Sequence, residues 1–353
     1  MHGVNAISKE ERMRRKKAFN QILIQHPRFG TIKQRTQSLV EDTEVRIAEN
    51  EERAQAAKGR PIKHKELWVL PIVGPSGATK STSMSYIVDE INGDPSLAER
   101  ETPILYVTLD QNTRGPKQLQ VQILEAFADP SAETVLRAAQ HSTPVINEDI
   151  RRIAIERKTR VIVLDEAGNM LMHDAGKIGR QMANAIKGLV NEAIFSVILM
   201  GTEEVNQLFM LSPELQSRNC GAVNVGRFDV RRKEDRDYFF GFVDRFEKRL
   251  LSDKIIDRPL GLVGDVVSRA SVYDFADGII GIVPRVLLIA LNDVLAQGRG
   301  YLEWEDVANA FHSWNLPRSA KEKHYDPFGE NGPKKPTLAF VREDTKPRKK
   351  PAA

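Results

Sequence analysis

The stretch LPIVGPSGATKST, residues 70–82, constrains this chain more than any other. An apolar run ends in Gly74, and the residues from there nearly spell G-x-x-x-x-G-K-[ST], with Gly74, Gly77, Lys80 and Ser81 in register. A strand that runs into a glycine-rich loop and then a helix presents successive backbone N–H groups to phosphate at a helix N-terminus. On this reading Gly74, Pro75, Ser76, Gly77, Ala78, Thr79, Lys80, Ser81 and Thr82 bind ATP. Lys80 reaches the β- and γ-phosphates and the Ser81 hydroxyl holds Mg²⁺. One position departs from the pattern, because Thr79 stands where glycine is expected before the lysine. If that position needs positive φ, a β-branched residue there costs roughly 1–2 kcal/mol. A threonine hydroxyl bonded to a phosphate oxygen would recover part of that cost.

The second half of such a site is VIVLDEAGNML, where four apolar residues, Val161 to Leu164, deliver Asp165 and Glu166 at the end of a strand. Open α/β sheets bind ligands at that edge. Asp165 is expected to hold Mg²⁺ through water, and Glu166 to polarise the water that attacks the γ-phosphate. A further strand ends in MGTEE, placing Thr202 where it can touch the γ-phosphate or orient the water; its plain alternative is a helix N-cap. Arg218 precedes the last strand and suits a finger entering a neighbour's site, the alternative being a surface arginine with a local carboxylate partner. Arg285, in GIIGIVPR, sits at a helix start from which it is expected to swing toward the phosphates.

Apolar runs alternating with amphipathic helices signal an α/β fold: a parallel sheet covered by helices on both faces. The expected strands are 67–73, 103–109, 160–166, 195–201 and 222–230. From residue 232 the pattern is helical, over 232–251, 259–272, 279–297 and 303–314. This predicts an N-terminal helical extension over 1–60, broken by HPRFG, a nucleotide-binding domain over 61–231 and a small all-helical lid over 232–316. Residues 317–353, rich in Lys and Pro, read as a basic tail that is extended or disordered in isolation. The apolar anchors Tyr325, Phe328, Leu338, Phe340 and Val341 in that tail suit folding upon a partner.

Charge is uneven. Residues 9–17 carry six basic and two acidic side chains, and residues 318–353 carry ten and five, while the body between is acidic. Basic ends of this kind suit contact with phosphate or an acidic partner, or simply solubility. The single cysteine, Cys220, excludes an internal disulfide and points to a cytoplasmic location, and no apolar stretch is long enough to span a bilayer. The loop DQNTRGPKQ after the second strand offers Arg114 and Lys117 for sequence-tolerant contact with the backbone of duplex DNA, against the plain reading of a solvated loop.

Together these parts resemble an AAA+ P-loop NTPase: Walker A-like loop, Walker B VIVLDE, a sensor at Thr202, an arginine finger and a lid with a second sensor arginine. LDEAGNML, IKGLVNEA, FSVILMGTEE, ELQSR, DRPLGL and the GIIG…EDVANAF lid are similar to the TniB/TnsC family over most of residues 20–315. That resemblance implies an ATP-dependent regulator of DNA transposition. It would form a homo-oligomer, ring or helical filament, on duplex DNA and link a TniQ-like targeting protein to a transposase. Two departures stand out, Thr79 in the loop and Gly168 where the family often has a bulkier polar residue. The first leaves turnover open more than binding. The alternatives are an AAA+ ATPase of another class, such as an initiator-like loader, and a nucleotide-binding DNA scaffold with little hydrolysis. The absence of a winged-helix segment after Trp314 weighs against the loader.

Overall fold

Runs such as VIVLD and SVILMG have no polar face to offer water, so they form strands only where both faces of a sheet are covered. In the computed structural model five parallel strands do this: β1 (Val69–Val73), β2 (Ile104–Thr108), β3 (Val161–Asp165), β4 (Ser196–Gly201) and the short β5 (Val223–Asn224). The structure describes residues 7–24, 26–127, 142–171, 176–315, 326–330 and 332–345. Strand order is β2-β3-β4-β1-β5, with Val73 beside Gly201 and Leu164 beside Leu199. Every residue of β1, β3 and β4 is buried.

The chain divides into two compact units, residues 28–226 and residues 1–27 with 227–353. In the first, α2 (Pro27–Ala56), α3 (Lys80–Asn92), α4 (Pro116–Ala126), α5 (Thr143–Glu156), α6 (Lys177–Asn191), α7 (Val205–Leu211) and the single turn α8 (Pro213–Gln216) accompany the sheet. One apolar cluster joins Leu119, Ile123, Ile150, Ile186 and Leu189 to Val107, Leu164 and Leu199. A second joins Phe29, Ile32, Met84 and Ile87 to Leu70, Ile72, Val163 and Met200. These are the two layers that a parallel sheet requires. The expected two helices are present, but the break between them falls between Asn20 and Pro27 rather than across HPRFG: Pro27 is the first position of α2, where its missing N–H costs nothing, and the helix runs on through Gly30.

The second unit is helical, with α1 (Lys9–Asn20), α9 (Lys233–Ser252), α10 (Val266–Ala276), α11 (Ile282–Ala296), α12 (Trp304–Trp314) and α13 (Lys335–Thr345). Its core brings Phe19 together with Phe239, Phe246, Leu250, Val283, Leu291 and Phe311. The N-terminal extension expected over 1–60 is therefore shared between the units, α1 with one and α2 with the other. Arg15 is the reason α1 is committed. It is buried, pairs with Glu11 and Asp257, and donates to the carbonyls of Ile255 and Gly300. Two of the six cations read as suiting a partner or solubility, Arg14 and Arg15, are thus structural.

A helix expected over 259–272 starts instead at Val266. The buried Glu247 carboxylate accepts the N–H groups of Leu260, Gly261 and Leu262, at 2.6, 2.7 and 3.0 Å, and holds DRPLGL as a loop. Asp265 then caps the helix through Val267 and Ser268 N–H. The tail differs from expectation too. Residues 335–345 are helical, Val341 is fully buried, and the Thr337 hydroxyl donates to Asp274 at 2.7 Å. Phe328 packs on Phe275, Phe311 and Trp304, so two of the five expected anchors serve this unit's own packing, while Tyr325 lies outside the described residues.

Candidate nucleotide site

The loop from Gly74 to Thr79 leaves β1 at its C-terminal end and enters α3 at Lys80. Gly74 has no room for a side chain: a Cβ there would lie 2.3 Å from the Val225 carbonyl oxygen. Two residues of the loop have positive φ, Gly77 at 82° and Thr79 at 64°. Of the two accounts of Thr79, the strained backbone is therefore present, and the β-branched side chain bears it at a position where glycine would be free of cost.

Lys80 is buried, and its Nζ donates to the carbonyls of Gly74 at 2.7 Å and Pro75 at 3.0 Å. Burial pushes its pKa down, while the nearby Asp165 and Glu166 carboxylates oppose that shift. The lysine and the acidic pair thus feel one another electrostatically.

Asp165 ends β3 and is 3% exposed. Its Oδ1 accepts the Glu166 N–H at 2.7 Å, and its Oδ2 accepts the Tyr106 hydroxyl. Burial, followed by the Asp165 bond, raises the pKa of Tyr106, a residue the sequence reading missed. The two residues expected to serve Mg²⁺, Ser81 and Asp165, both offer oxygen donors, which suit a hard cation. Glu166 is exposed, with φ at 55°, and so points its carboxylate outward from the strand end at a backbone cost of the same order as that of Thr79.

Thr202 is not a helix N-cap, because Glu204 occupies that position before α7. Its hydroxyl donates to Glu204 Oε2 at 3.1 Å. A Cβ at Gly168 would come within 2.9 Å of the same Glu204 carboxylate, so the small residue there is matched by Glu204. Arg285 is exposed in the first turn of α11, in the helical unit. Arg114 is exposed in the loop before α4, and Lys117 is half-buried in the first turn of that helix.

Arg218 departs most from expectation. It is 5% exposed rather than a free finger, with its guanidinium donating to the Glu214 carbonyl at 2.6 Å and Asn191 Oδ1 at 2.7 Å and pairing with Glu66 at 2.9 Å. Its carbonyl accepts the Val69 N–H, which puts it at the opposite end of β1 from the phosphate loop. Among the described residues no cluster of His, Cys, Asp and Glu would hold a metal by itself, and no helix is long and apolar enough to cross a membrane.

Residues 68–209 match the family model described as an AAA domain. With the parallel sheet, the loop and the acidic strand end, the fold is that of the AAA+ P-loop nucleotide hydrolases. No curated protein sequence matches the chain. Among solved structures, the ORC2 protein of Aeropyrum pernix in its ADPNP–ADP complexes is 13% identical over 77% of this chain and 66% of its own, with a TM-score of 0.48. The ORC1 protein of Aeropyrum pernix in complex with DNA is 13% identical over 78% and 65%, at a TM-score of 0.48. Drosophila ORC bound to DNA is 9% identical over 90% and 68%, at a TM-score of 0.49. This chain thus spans slightly less than two thirds of the two archaeal proteins.

Proposed function

We propose that this protein is an ATP-dependent regulator of DNA transposition, cytoplasmic, which assembles on duplex DNA and hydrolyses ATP slowly. The observation that carries the nucleotide part is that the loop after β1, leading into Lys80 and Ser81, and the Asp165–Glu166 pair at the end of β3 lie at the C-terminal end of one parallel sheet. The loop amides and Lys80 hold the phosphates of ATP, and Ser81 with Asp165 holds Mg²⁺, which supplies charge neutralisation between the phosphates when bound. Glu166 takes up the proton side of the attack by orienting and polarising the water, and Thr202, tethered to Glu204, positions it. Arg285 is the lid arginine that the AAA+ resemblance assigns to ATP. A trans role for Arg218 requires release of its Glu66 pair in the assembly.

The transposition reading is supported by the sequence likeness of LDEAGNML, FSVILMGTEE, ELQSR and DRPLGL to the TniB/TnsC family, with a transposase and a TniQ-like protein as partners. Non-specific contact with the DNA backbone falls to Arg114 and Lys117 among other cations. The decisive experiment is electron microscopy of the protein on duplex DNA with and without an ATP analogue, beside Lys80→Ala. ATP-dependent assemblies that vanish in Lys80→Ala are expected; assemblies indifferent to that substitution would remove the nucleotide-site assignment. A transposase gene adjacent on the genome, and its product captured by the assemblies, checks the transposition role.

A further inference from the structure

At the opposite edge of the sheet from the phosphate loop, a pocket of about 390 Å³ opens beside the start of β1. Its lining includes Arg46, Arg53, Lys63, Lys65 and Arg218, five permanent cations, against one carboxylate, Glu66. Trp68 forms part of the wall. Like charges gathered in a partly enclosed space repel one another, and in a lower dielectric that repulsion grows. Such a gathering is stable when an anion completes it.

Two details make this a shaped site rather than a solvated surface. Arg46 is fixed: its guanidinium carbon stands 4.1 Å from the centre of the Trp68 ring, and one nitrogen donates to the Glu66 carbonyl at 2.7 Å. Only part of its donor fork is used. Arg218 has its Nε buried with no hydrogen-bond partner among the described residues, an expensive condition for a charged group. Around these two, Arg53, Lys63 and Lys65 are exposed at the rim, and among the described residues only Lys65 is paired there, with Glu49. The segment AKGRPIKHKE, residues 57–66, brings further basic residues, Lys58 and Arg60, to the same connection.

We propose that this basic cleft is a second phosphate-binding site and takes a phosphodiester group of a nucleic-acid backbone, apart from the loop around Arg114. Arginine forks beside flexible lysines fit phosphate oxygens, and a contact of this kind fixes register on the strand without reading bases. The inference rests on the DNA-binding part of the proposed function.

The test uses the full chain with a labelled duplex oligonucleotide, its affinity measured by anisotropy across a salt series. Arg53→Ala combined with Lys63→Ala removes two exposed cations that make no hydrogen bond or ion pair shown in the structure, so the fold is retained. The double variant should show a log Kd against log salt slope shallower by about one than the wild type, the share of the single phosphate that the cleft takes. ATP affinity should be unchanged. A wild-type slope in the double variant overturns the cleft while leaving DNA binding intact, and wild-type protein that binds no duplex overturns the broader reading as well. A loss of ATP affinity with DNA binding unaltered would give the cleft to a free nucleotide. Polyglutamate that binds wild type but not the double variant, with duplex affinity and salt slope the same in both proteins, would give it to an acidic protein segment. Either result removes the proposal.

Discussion

At the scale of single residues, strain at Thr79 is the feature with the clearest consequence. Its φ of 64° is a conformation that glycine adopts freely, whereas a β-branched side chain pays roughly 1–2 kcal/mol. Glycine in turn loses more freedom on folding, about 0.5–1 kcal/mol. Thr79→Gly should therefore raise the stability of the nucleotide-binding unit by up to about 1 kcal/mol, a rise of a few degrees in Tm. A lower Tm would mean that the threonine hydroxyl is worth more than the strain. Tyr106 makes a second case. Its hydroxyl orients the buried Asp165, so Tyr106→Phe should cost about 1–2 kcal/mol of stability. The Mg²⁺ needed for half-maximal hydrolysis should rise several-fold, which a magnesium titration of phosphate release measures. The departure at Thr79 was legible because a motif fixes what each position must do. Tyr106 was not: in PILYVTL it is one aromatic among apolar neighbours, and only the β2–β3 pairing brings β2 alongside the strand that ends in Asp165.

At the scale of elements, the strands were legible to within about two residues for β1 to β4, since an unbroken apolar run has few other uses. The fifth was overextended, because only Val223 and Asn224 join the ladder and the chain passes to the other unit at Arg227. What sequence reading could not supply was partnership. Arg15, Glu247 and Val341 look like a surface cation, a helix carboxylate and a tail anchor, and each is buried by residues distant in the chain. The docking of α1 carries its own pH dependence. Hydrogen bonds from Arg14 and then Arg15 hold the Glu11 carboxyl at about 2, below its usual 4.5. A carboxylate depressed on folding contributes stability that is complete above the unfolded value and fades as pH falls through the folded one. Glu11→Gln should lower the Tm of the helical unit at neutral pH, modestly because the group is partly exposed, and the gap to wild type should close between about pH 4.5 and 2. Thermal melts of both proteins across that window check the sign; a gap that widens in acid would refute it.

At the scale of the whole molecule, the architecture places Glu166, the carboxylate proposed to act in hydrolysis, where its removal should separate two steps. Asp165 is buried and bonded to Tyr106, while its neighbour Glu166 is exposed on a positive-φ residue at the strand end. Substituting Glu166 by Gln keeps size and hydrogen-bonding capacity but removes the charge that polarises water. The loop, Lys80 and Asp165 are untouched, so ATP binding should survive with Kd within a few-fold of wild type. Turnover should fall by roughly 10²–10⁴, the range associated with losing a general base. If assembly on DNA requires bound ATP, as proposed, the two effects combine in one direction: assemblies form normally and disassemble slowly. Pre-formed complexes challenged with excess unlabelled duplex should exchange far more slowly for Glu166→Gln than for wild type, while Lys80→Ala should form none to challenge. Equal exchange rates, alongside a confirmed loss of hydrolysis, would uncouple ATP turnover from release and assign the nucleotide a purely structural part in the assembly.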